Sequence, residues 1–263
     1  MWSALAITLA LLGGTLHAQF AYVANLGDNT VSGFGIDPDG TFTAITGSPF
    51  SGVLGPVAVT VDPSGKFAYI VNSVNSTVSG YTISPFTGAL TAIDGSPFAT
   101  AIGPVSIAVD PSAKFAYVVN SVDNIVSAYT ISPATGALTP ITRSPFATGT
   151  NPNCVEVDPS GQFAYVANTS DGTVSGYTID PATGALMPIT GSPFAAGSGA
   201  DFVVVDPSGK FVYVANRVDG TVSGYTIAPA TGALTPIAGS PFATGESPTS
   251  VAVDPRTTGS LMS

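Results

Sequence analysis

A unit of roughly 48 residues is repeated along most of this chain, and the repeat limits the folds open to it. Each copy contains Phe-Ala-Tyr-(Val/Ile)-(Ala/Val)-Asn or the variant Phe-Val-Tyr-Val-Ala-Asn, and consecutive copies begin 47 or 48 residues apart. The five copies begin at Phe20, Phe67, Phe115, Phe163 and Phe211. No unrelated sequence separates the copies, so the repeats form one domain without a linker. A long fixed period of this kind is typical of solenoids and propellers.

Each copy predicts four short antiparallel strands. In the second copy, Val57–Val61 alternates apolar residues and is followed by the turn Asp62-Pro63-Ser64-Gly65. Phe67–Val71, Thr77–Ile83 and Ala89–Ile93 follow, all rich in β-branched and aromatic residues. No window shows a helical period. The sequence therefore predicts an all-β fold, a β-propeller of five four-stranded antiparallel blades, over residues 19–263.

The two ends of the repeat array are incomplete in complementary ways. The first copy starts at its second strand, and Ser250–Pro255 resembles a lone first strand. That segment could complete the first blade and close the ring, which would remove both sheet edges. The alternative is a truncated propeller that is open on one side and prone to pair with another chain.

Residues Met1–Ala18 are typical of a secretory leader. The apolar run Leu5–Leu12 has the length of a signal h-region, and Leu16-His17-Ala18 offers a cleavage site before Gln19. The leader predicts a secreted, periplasmic or cell-surface protein. The alternative is a degraded propeller strand behind a misassigned start. No other segment is predicted to span a membrane.

Composition excludes several kinds of chemistry. The net charge is −10 and the chain has only six Lys and Arg residues, so nucleic acid is not an expected partner. His17, in the predicted leader, is the only histidine, which excludes histidine-based triads and histidine metal sites from the mature protein. Cys154 is the only cysteine and is interpreted as a buried, inert thiol. We expect no metal and no cofactor.

The repeated segments Phe-Ala-Tyr-Val-Ala-Asn, Thr-Val-Ser-Gly-Tyr-Thr-Ile and Thr-Gly-Ala-Leu-Thr-Pro-Ile resemble those of YVTN-repeat proteins and lactonase-family β-propellers. That family includes 6-phosphogluconolactonase-like and muconate-cyclase-like enzymes. The resemblance covers Phe20–Pro255 and implies the propeller fold, with lactone hydrolysis as one activity. The chain departs from the family in having five repeats instead of the usual seven. Its copies are also nearly identical, whereas a catalytic site is asymmetric.

The best candidate site is the mouth of the central channel, where the inner strands begin. Most of the chain repeats faithfully, but the residues of the inner strands differ from one copy to the next. Asn153, Glu156 and Asp201 are the polar residues among these differences. Glu156 and Asp201 could act as general acid and base on a lactone. Asn153 and Thr249 are candidate ligand contacts on the same strands. The alternative is neutral drift beside a water-filled channel.

Two cations are predicted on the mouth side, Arg143 and Arg217, and both are candidate ligand contacts. Two arginines on different blades make a poor phosphate clamp, which disfavours a phosphorylated substrate. An Asp or Asn also follows each repeated Asn by three residues; we interpret this column as turn-forming in preference to calcium-binding. It comprises Asp28, Asn75, Asp123, Asp171 and Asp219.

Three functional hypotheses follow. We favour a non-catalytic exported scaffold that binds a small molecule, a surface or a protein partner at the channel mouth, because the copies are so similar and histidine is absent. The first alternative is a lactone hydrolase that uses Glu156 and Asp201. The second alternative is an incomplete propeller without an independent function.

Overall fold

The computed structural model describes residues 19–254 as an all-β fold of 23 strands. The predicted leader, Met1–Ala18, lies outside the described residues. Within residues 19–254 there is no helix, and hence no helix long and apolar enough to cross a membrane. The predicted all-β propeller architecture is confirmed, with one sheet for each of the five repeats.

The strands form five sheets in chain order. Sheet 1 contains β1 (Gln19–Asn25), β2 (Thr30–Ile36) and β3 (Phe42–Ala44). Sheet 2 contains β4 (Pro56–Val61), β5 (Phe67–Asn72), β6 (Thr77–Ile83), β7 (Leu90–Ala92) and β8 (Phe98–Ala99). Sheet 3 contains β9 (Pro104–Val109), β10 (Phe115–Asn120), β11 (Ile125–Ile131), β12 (Leu138–Pro140) and β13 (Phe146–Ala147). Sheet 4 contains β14 (Pro152–Val157), β15 (Phe163–Asn168), β16 (Thr173–Ile179), β17 (Leu186–Pro188) and β18 (Phe194–Ala195). Sheet 5 contains β19 (Ala200–Val205), β20 (Phe211–Asn216), β21 (Thr221–Ile227), β22 (Leu234–Pro236) and β23 (Phe242–Ala243).

Sheets 2 to 5 share one antiparallel order, in which the four main strands are neighbours in sequence and in space. A short fifth strand, which the sequence did not predict, comes from the connection to the next sheet. In sheet 2, β7 pairs only with the end of β6, and Phe98–Ala99 covers the edge at Thr77 and Val78. The hydroxyl of Ser96 accepts a hydrogen bond from Gly80 N at 2.9 Å, which holds this connection against the sheet.

Consecutive sheets pack through repeated aromatic residues. Tyr69 is fully buried, and its hydroxyl donates a 2.8 Å hydrogen bond to the carbonyl of Gly136 in sheet 3. Gly136 has a φ of +73°, and a Cβ there would overlap the ring of Phe67. Tyr117 and Gly184 form the same contact between sheets 3 and 4. These contacts set the spacing and the angle between neighbouring sheets.

The structure distinguishes the two alternatives for the ends of the repeat array, because residues 19–254 form an open set of sheets and not a closed ring. Among residues 19–254 only β2 pairs with β1, and residues 250–254 of the expected closing strand Ser250–Pro255 form no strand. The inner strands contact one another in series from β1 through β4, β9 and β14 to β19, and no comparable contact joins sheet 5 to sheet 1 in this part of the chain. The five sheets of residues 19–254 therefore form an open arc.

Candidate functional site

One face of the arc gathers the starts of the inner strands and the loops between second and third strands. The antiparallel register explains this, because Pro152, which begins β14, pairs with Asn168, which ends β15. The two loops beside this pair also touch: Thr169 N donates a 3.0 Å hydrogen bond to Asn151 O. We call this side the mouth-side face.

The carboxylates of three aspartates accept backbone hydrogen bonds that hold the loops of the mouth-side face in place. Asp171 Oδ2 accepts a 2.6 Å hydrogen bond from Thr150 N, and Asp219 Oδ2 accepts a 2.7 Å bond from Ser198 N. Asp123 accepts an equivalent backbone hydrogen bond in sheet 3. The Asp column lies in turns, as predicted, but its carboxylates also hold the segments that lead into the inner strands. The loops around the site are therefore fixed by charge-assisted bonds.

Three polar side chains meet between sheets 4 and 5. Asn153 Nδ2 donates hydrogen bonds to Asp201 Oδ1 at 3.1 Å and to the Asp201 carbonyl at 3.2 Å. Thr169 Oγ1 donates a weaker bond of 3.4 Å to the same Oδ1. In residues 19–254 no donor contacts Asp201 Oδ2. One carboxylate oxygen is thus anchored, while the other is available to a water or a ligand.

Arg217 lines a cavity that Thr169 of this cluster also lines. Its backbone N donates a 2.8 Å hydrogen bond to Gly199 O, which places it at the edge of sheet 5. Its side chain is exposed, and it lines a cavity of about 570 Å³ between sheets 4 and 5. The polar residues that share the cavity are Asn151, Thr169, Ser170, Asp171 and Ser198. The cleft therefore offers one cation and several hydrogen-bonding groups to a small ligand.

Glu156 lies on β14, the inner strand that also contains Asn153, three residues farther from the start of the strand. Burial raises the pKa of its carboxyl group to about 7, and no described residue hydrogen-bonds to it. Cys154 lies two residues away on the same strand and is buried, as the sequence predicted, and burial is the main cause that raises the pKa of its thiol to about 12. Asp201 occupies the position of Asn153 one repeat later, and Glu156 lies three residues beyond that position. Three strand residues span about 10 Å, so the structure does not place the two carboxylates as a contacting pair.

The other two predicted ligand contacts lie apart from the cluster. Arg143 is exposed at the outer edge of sheet 3, in the turn between β12 and β13, with a φ of +76°. Thr249 is exposed beyond β23, in a segment that forms no strand. Of the six predicted site residues, only Asn153 and Asp201 are in contact with each other, and Arg217 lines the cavity that Thr169, a hydrogen-bonding partner of Asp201, also lines.

A second cavity, of about 850 Å³, lies between sheets 1 and 2. Its lining is mostly apolar and includes Phe20, Tyr22, Val61 and Ile83. It also contains the turn at Lys66, which places it on the side opposite the mouth-side face. Burial raises the pKa of Tyr22 to about 12, so its phenol stays neutral. No Asp or Glu among residues 19–254 lines this cavity.

Sequence reasoning missed Asn151, Thr169 and Ser198. The sequence did contain a signal for Asn151, because the equivalent residues of the two preceding copies are Gly55 and Gly103. Asn151 has a φ of +52°. The asparagine keeps the left-handed conformation and adds a polar side chain, so it is a departure from the repeat like Asn153.

A family model described as lactonase, seven-bladed β-propeller, matches residues 14–200 and 187–258. This chain belongs to the lactonase family of seven-bladed β-propellers. The five sheets of residues 19–254 are fewer than the seven in the family's description. No curated protein matches the sequence.

Solved structures share the fold at low sequence identity. A putative 6-phosphogluconolactonase from Bacteroides uniformis is 19% identical with a TM-score of 0.77, and the match covers 87% of this chain and 69% of that protein. A second one, from Bacteroides fragilis, is 21% identical with a TM-score of 0.74, over 86% of this chain and 68% of that one. A periplasmic gluconolactonase from Pseudomonas aeruginosa is 18% identical with a TM-score of 0.70, over 83% and 64%. At these identities the likeness establishes the fold alone.

Proposed function

We propose that this lactonase-family protein hydrolyses a small lactone that carries no phosphate, in the cleft between sheets 4 and 5. The observation that carries the proposal is the geometry of Asp201. Asn153 and Thr169 fix one of its carboxylate oxygens, and the other has no donor among residues 19–254. Family membership and the similar fold of a gluconolactonase support the same chemistry.

The residues of the cleft suit ring opening by water. Asp201 Oδ2 accepts a proton from a water molecule whose oxygen attacks the lactone carbonyl carbon. The carbonyl oxygen takes the electron pair and becomes an oxyanion, which the guanidinium of Arg217 stabilises. The intermediate collapses with cleavage of the ring C–O bond, and the leaving alkoxide takes the proton back from Asp201. The product is a hydroxy acid, whose carboxylate Arg217 also attracts.

The distribution of cations supports an unphosphorylated substrate. Among residues 19–254, Arg217 is the only Lys or Arg that lines the cleft. A phosphate site normally combines several convergent donors with positive charge. Lys66, Lys114 and Lys210 follow the inner strands, in turns on the opposite face of the arc. The structural similarity to putative 6-phosphogluconolactonases therefore supports lactone hydrolysis as the reaction, but it does not support a phosphorylated substrate.

A non-catalytic binding scaffold is the second candidate function, and the separation of Glu156 from Asp201 favours it. Without a second group placed as an acid, the cleft would hold its ligand unchanged. In either case an exported protein, as the predicted leader Met1–Ala18 suggests, would meet its ligand outside the cytoplasm.

The test is acid release from δ-gluconolactone by the purified protein, corrected for spontaneous hydrolysis. Asp201→Asn keeps the hydrogen-bonding shape of the side chain and removes the base, so we expect kcat to fall at least about a hundredfold. Asp94→Asn, an exposed change at the outer side of sheet 2, is the matched control and should leave kcat unchanged. Equal activity in wild type and Asp201→Asn would exclude the proposed site. Binding without turnover would support the scaffold.

A further inference from the structure

Strand β1 has an unpaired inner edge. Among residues 19–254 only β2 pairs with β1, whereas β5, β10, β15 and β20 each pair with an inner strand as well. Val23, in the middle of β1, is 45% exposed, and the equivalent Ile70 in β5 is fully buried. An unpaired edge presents backbone N–H and C=O groups that can bond an added strand. Sheet 1 therefore lacks the inner strand that the other four sheets have.

Residues Pro248–Asp254 have the sequence of an inner strand but form no strand. Their sequence, Pro-Thr-Ser-Val-Ala-Val-Asp, resembles Pro-Val-Ala-Val-Thr-Val-Asp at Pro56–Asp62, which contains β4. In the register of β4 on β5, Val251 would lie opposite Val23 of β1, and Val253 would lie opposite the next apolar residue but one. The segment thus matches the unpaired edge in length and in pattern.

The connection that leads to this segment is too short to carry it to β1 of its own chain. Four residues, 244–247, separate β23 from Pro248, and four residues, 100–103, separate β8 from Pro104 in the next sheet. A connection of this length therefore reaches one sheet onward. The family's propeller has seven sheets, so an arc of five leaves the space of two sheets between sheet 5 and sheet 1. We therefore expect the strand's partner on another molecule.

The two ends of the arc present the unused halves of one repeated contact. At each junction between described sheets, a tyrosine hydroxyl donates a hydrogen bond to a glycine carbonyl of the following sheet. The pairs are Tyr22–Gly88, Tyr69–Gly136, Tyr117–Gly184 and Tyr165–Gly232. The equivalent Tyr213 of sheet 5 has no such bond within residues 19–254.

Sheet 1 presents the other half of this contact. Gly40 lies two residues before β3, as Gly88 lies two residues before β7. Gly40 has a φ of +85°, close to the +69° of Gly88, but a Cβ on Gly40 would meet nothing within 4 Å, whereas one on Gly88 would overlap Phe20. Sheet 5 of one copy and sheet 1 of another therefore have complementary ends.

The charges at these two ends are also complementary. Lys210 precedes Phe211, the residue equivalent to the Phe20 that packs on Gly88, and Asp39 precedes Gly40. Both charged side chains are exposed in residues 19–254. Packing of Phe211 on Gly40 of a second copy would bring Lys210 and Asp39 to the same edge of the junction, where opposite charges attract.

We propose that two copies of this protein form a dimer by strand exchange, in which Pro248–Asp254 of each copy pairs with β1 of the other. The gaps of the two arcs face each other, with a two-fold axis parallel to the axes of the arcs, so sheet 5 of one copy lies beside sheet 1 of its partner at both junctions. Each added strand runs antiparallel to β1, as β4 does to β5. Both unpaired edges are then covered. The inference does not depend on the proposed function.

Disulfide trapping between two full chains tests the register. One chain carries Val23→Cys, the other carries Val251→Cys and a different tag, and the two are co-expressed. Directly opposed residues of an antiparallel pair have Cα atoms about 4.5–5.5 Å apart, which suits a disulfide. We expect mild oxidation to link the two differently tagged chains. Ala252→Cys in place of Val251→Cys is the matched control and should give no link, because its side chain points to the other face of the strand. The native Cys154 is buried.

Sedimentation velocity tests the assembly without added cysteines. We expect the wild type to be a dimer, and Val251→Asp with Val253→Asp to be a monomer with an unchanged circular dichroism spectrum, because the exchanged strand would bury two carboxylates. Val74→Asp with Val122→Asp is the control and should remain a dimer, since both valines are exposed in loops of sheets 2 and 3.

Three results would overturn the inference. The first is a monomeric wild type. The second is a dimer that Val251→Asp with Val253→Asp leaves intact. The third is a disulfide that forms only when both cysteines are on one chain, which would assign the segment to its own sheet 1.

Discussion

Asn153 and Asp201 occupy the same position in consecutive repeats, and they are hydrogen-bonded to each other, from Nδ2 to Oδ1 at 3.1 Å. The equivalent residues in sheets 2 and 3 are Val57 and Val105. Two departures from a repetitive sequence are therefore in contact, which is the asymmetry that a specific site in a repeat protein requires.

The first prediction concerns this contact. Asn153→Val installs the residue that sheets 2 and 3 already have, so the sheet should form normally. Loss of the donor frees the Asp201 carboxylate to rotate, and we expect kcat for lactone hydrolysis to fall about tenfold, in line with about 1.4 kcal/mol for one hydrogen bond. Steady-state kinetics with circular dichroism as a folding check would measure this. An unchanged kcat would show that Asn153 does not position the carboxylate.

The second prediction concerns Arg217. Replacing it with Gln keeps a donor and removes the charge that would attract the oxyanion and the product carboxylate. We expect the Kd of the hydroxy acid product to rise by roughly ten- to a hundredfold, since a charged hydrogen bond contributes about 1.5–3 kcal/mol. Calorimetric titration with gluconate measures the change. Arg143→Gln, at the outer edge of sheet 3, is the control, and an equal loss in both variants would refute a specific role for Arg217.

The third prediction uses the pKa of Glu156. Its carboxyl group has a pKa raised by burial to about 7, above the ordinary value of 4.5, so the folded state holds this proton more tightly than the unfolded chain. The resulting stabilisation is complete below pH 4.5 and is lost as the pH rises through 7. Its full size is on the order of 3 kcal/mol.

Urea unfolding at pH 5 and pH 8 would measure this dependence in wild type and in Glu156→Gln. The variant stays neutral, so its unfolding free energy should fall less than that of the wild type between these two values. The same slope in both proteins would mean that another group causes the pH dependence.

The fourth prediction separates steric crowding from backbone strain at glycines. Gly136 and Gly65 have φ values of +73° and +69°, but a Cβ on Gly136 would overlap Phe67, whereas one on Gly65 meets nothing within 4 Å. Gly65→Ala should cost about 1 kcal/mol from strain alone. Gly136→Ala adds overpacking at a sheet interface and should cost about 1–3 kcal/mol more. Similar midpoints of chemical unfolding for the two variants would contradict the proposed role of this interface.

The fold was predictable because the same pattern of strands and turns occurs in all five copies of the repeat. Turns such as Asp62–Gly65 marked the ends of strands. The short strand Phe98–Ala99 was missed because two residues carry too little pattern to predict a strand. Closure of the ring could not be read from Ser250–Pro255, because a matching local sequence does not reveal the angle between sheets.

The candidate site was only partly predictable. Asn153 and Asp201 stood out as polar residues in an apolar column, and their contact follows from their equivalent positions. Glu156 stood out for the same reason, yet its place three residues farther along the strand separates it from them. The position of Arg143 was misjudged because the turn that contains it lies at the outer edge of its sheet, which strand patterns alone do not show.

A crystal structure of the protein with gluconate, the stable product of the simplest test substrate, would examine the central claim most directly. The account predicts that the ligand lies between sheets 4 and 5, with its carboxylate beside Arg217 and within hydrogen-bonding distance of Asp201 or a water bound to it. Gluconate bound in the apolar cavity between sheets 1 and 2, or no bound gluconate at concentrations that saturate the protein in solution, would contradict it.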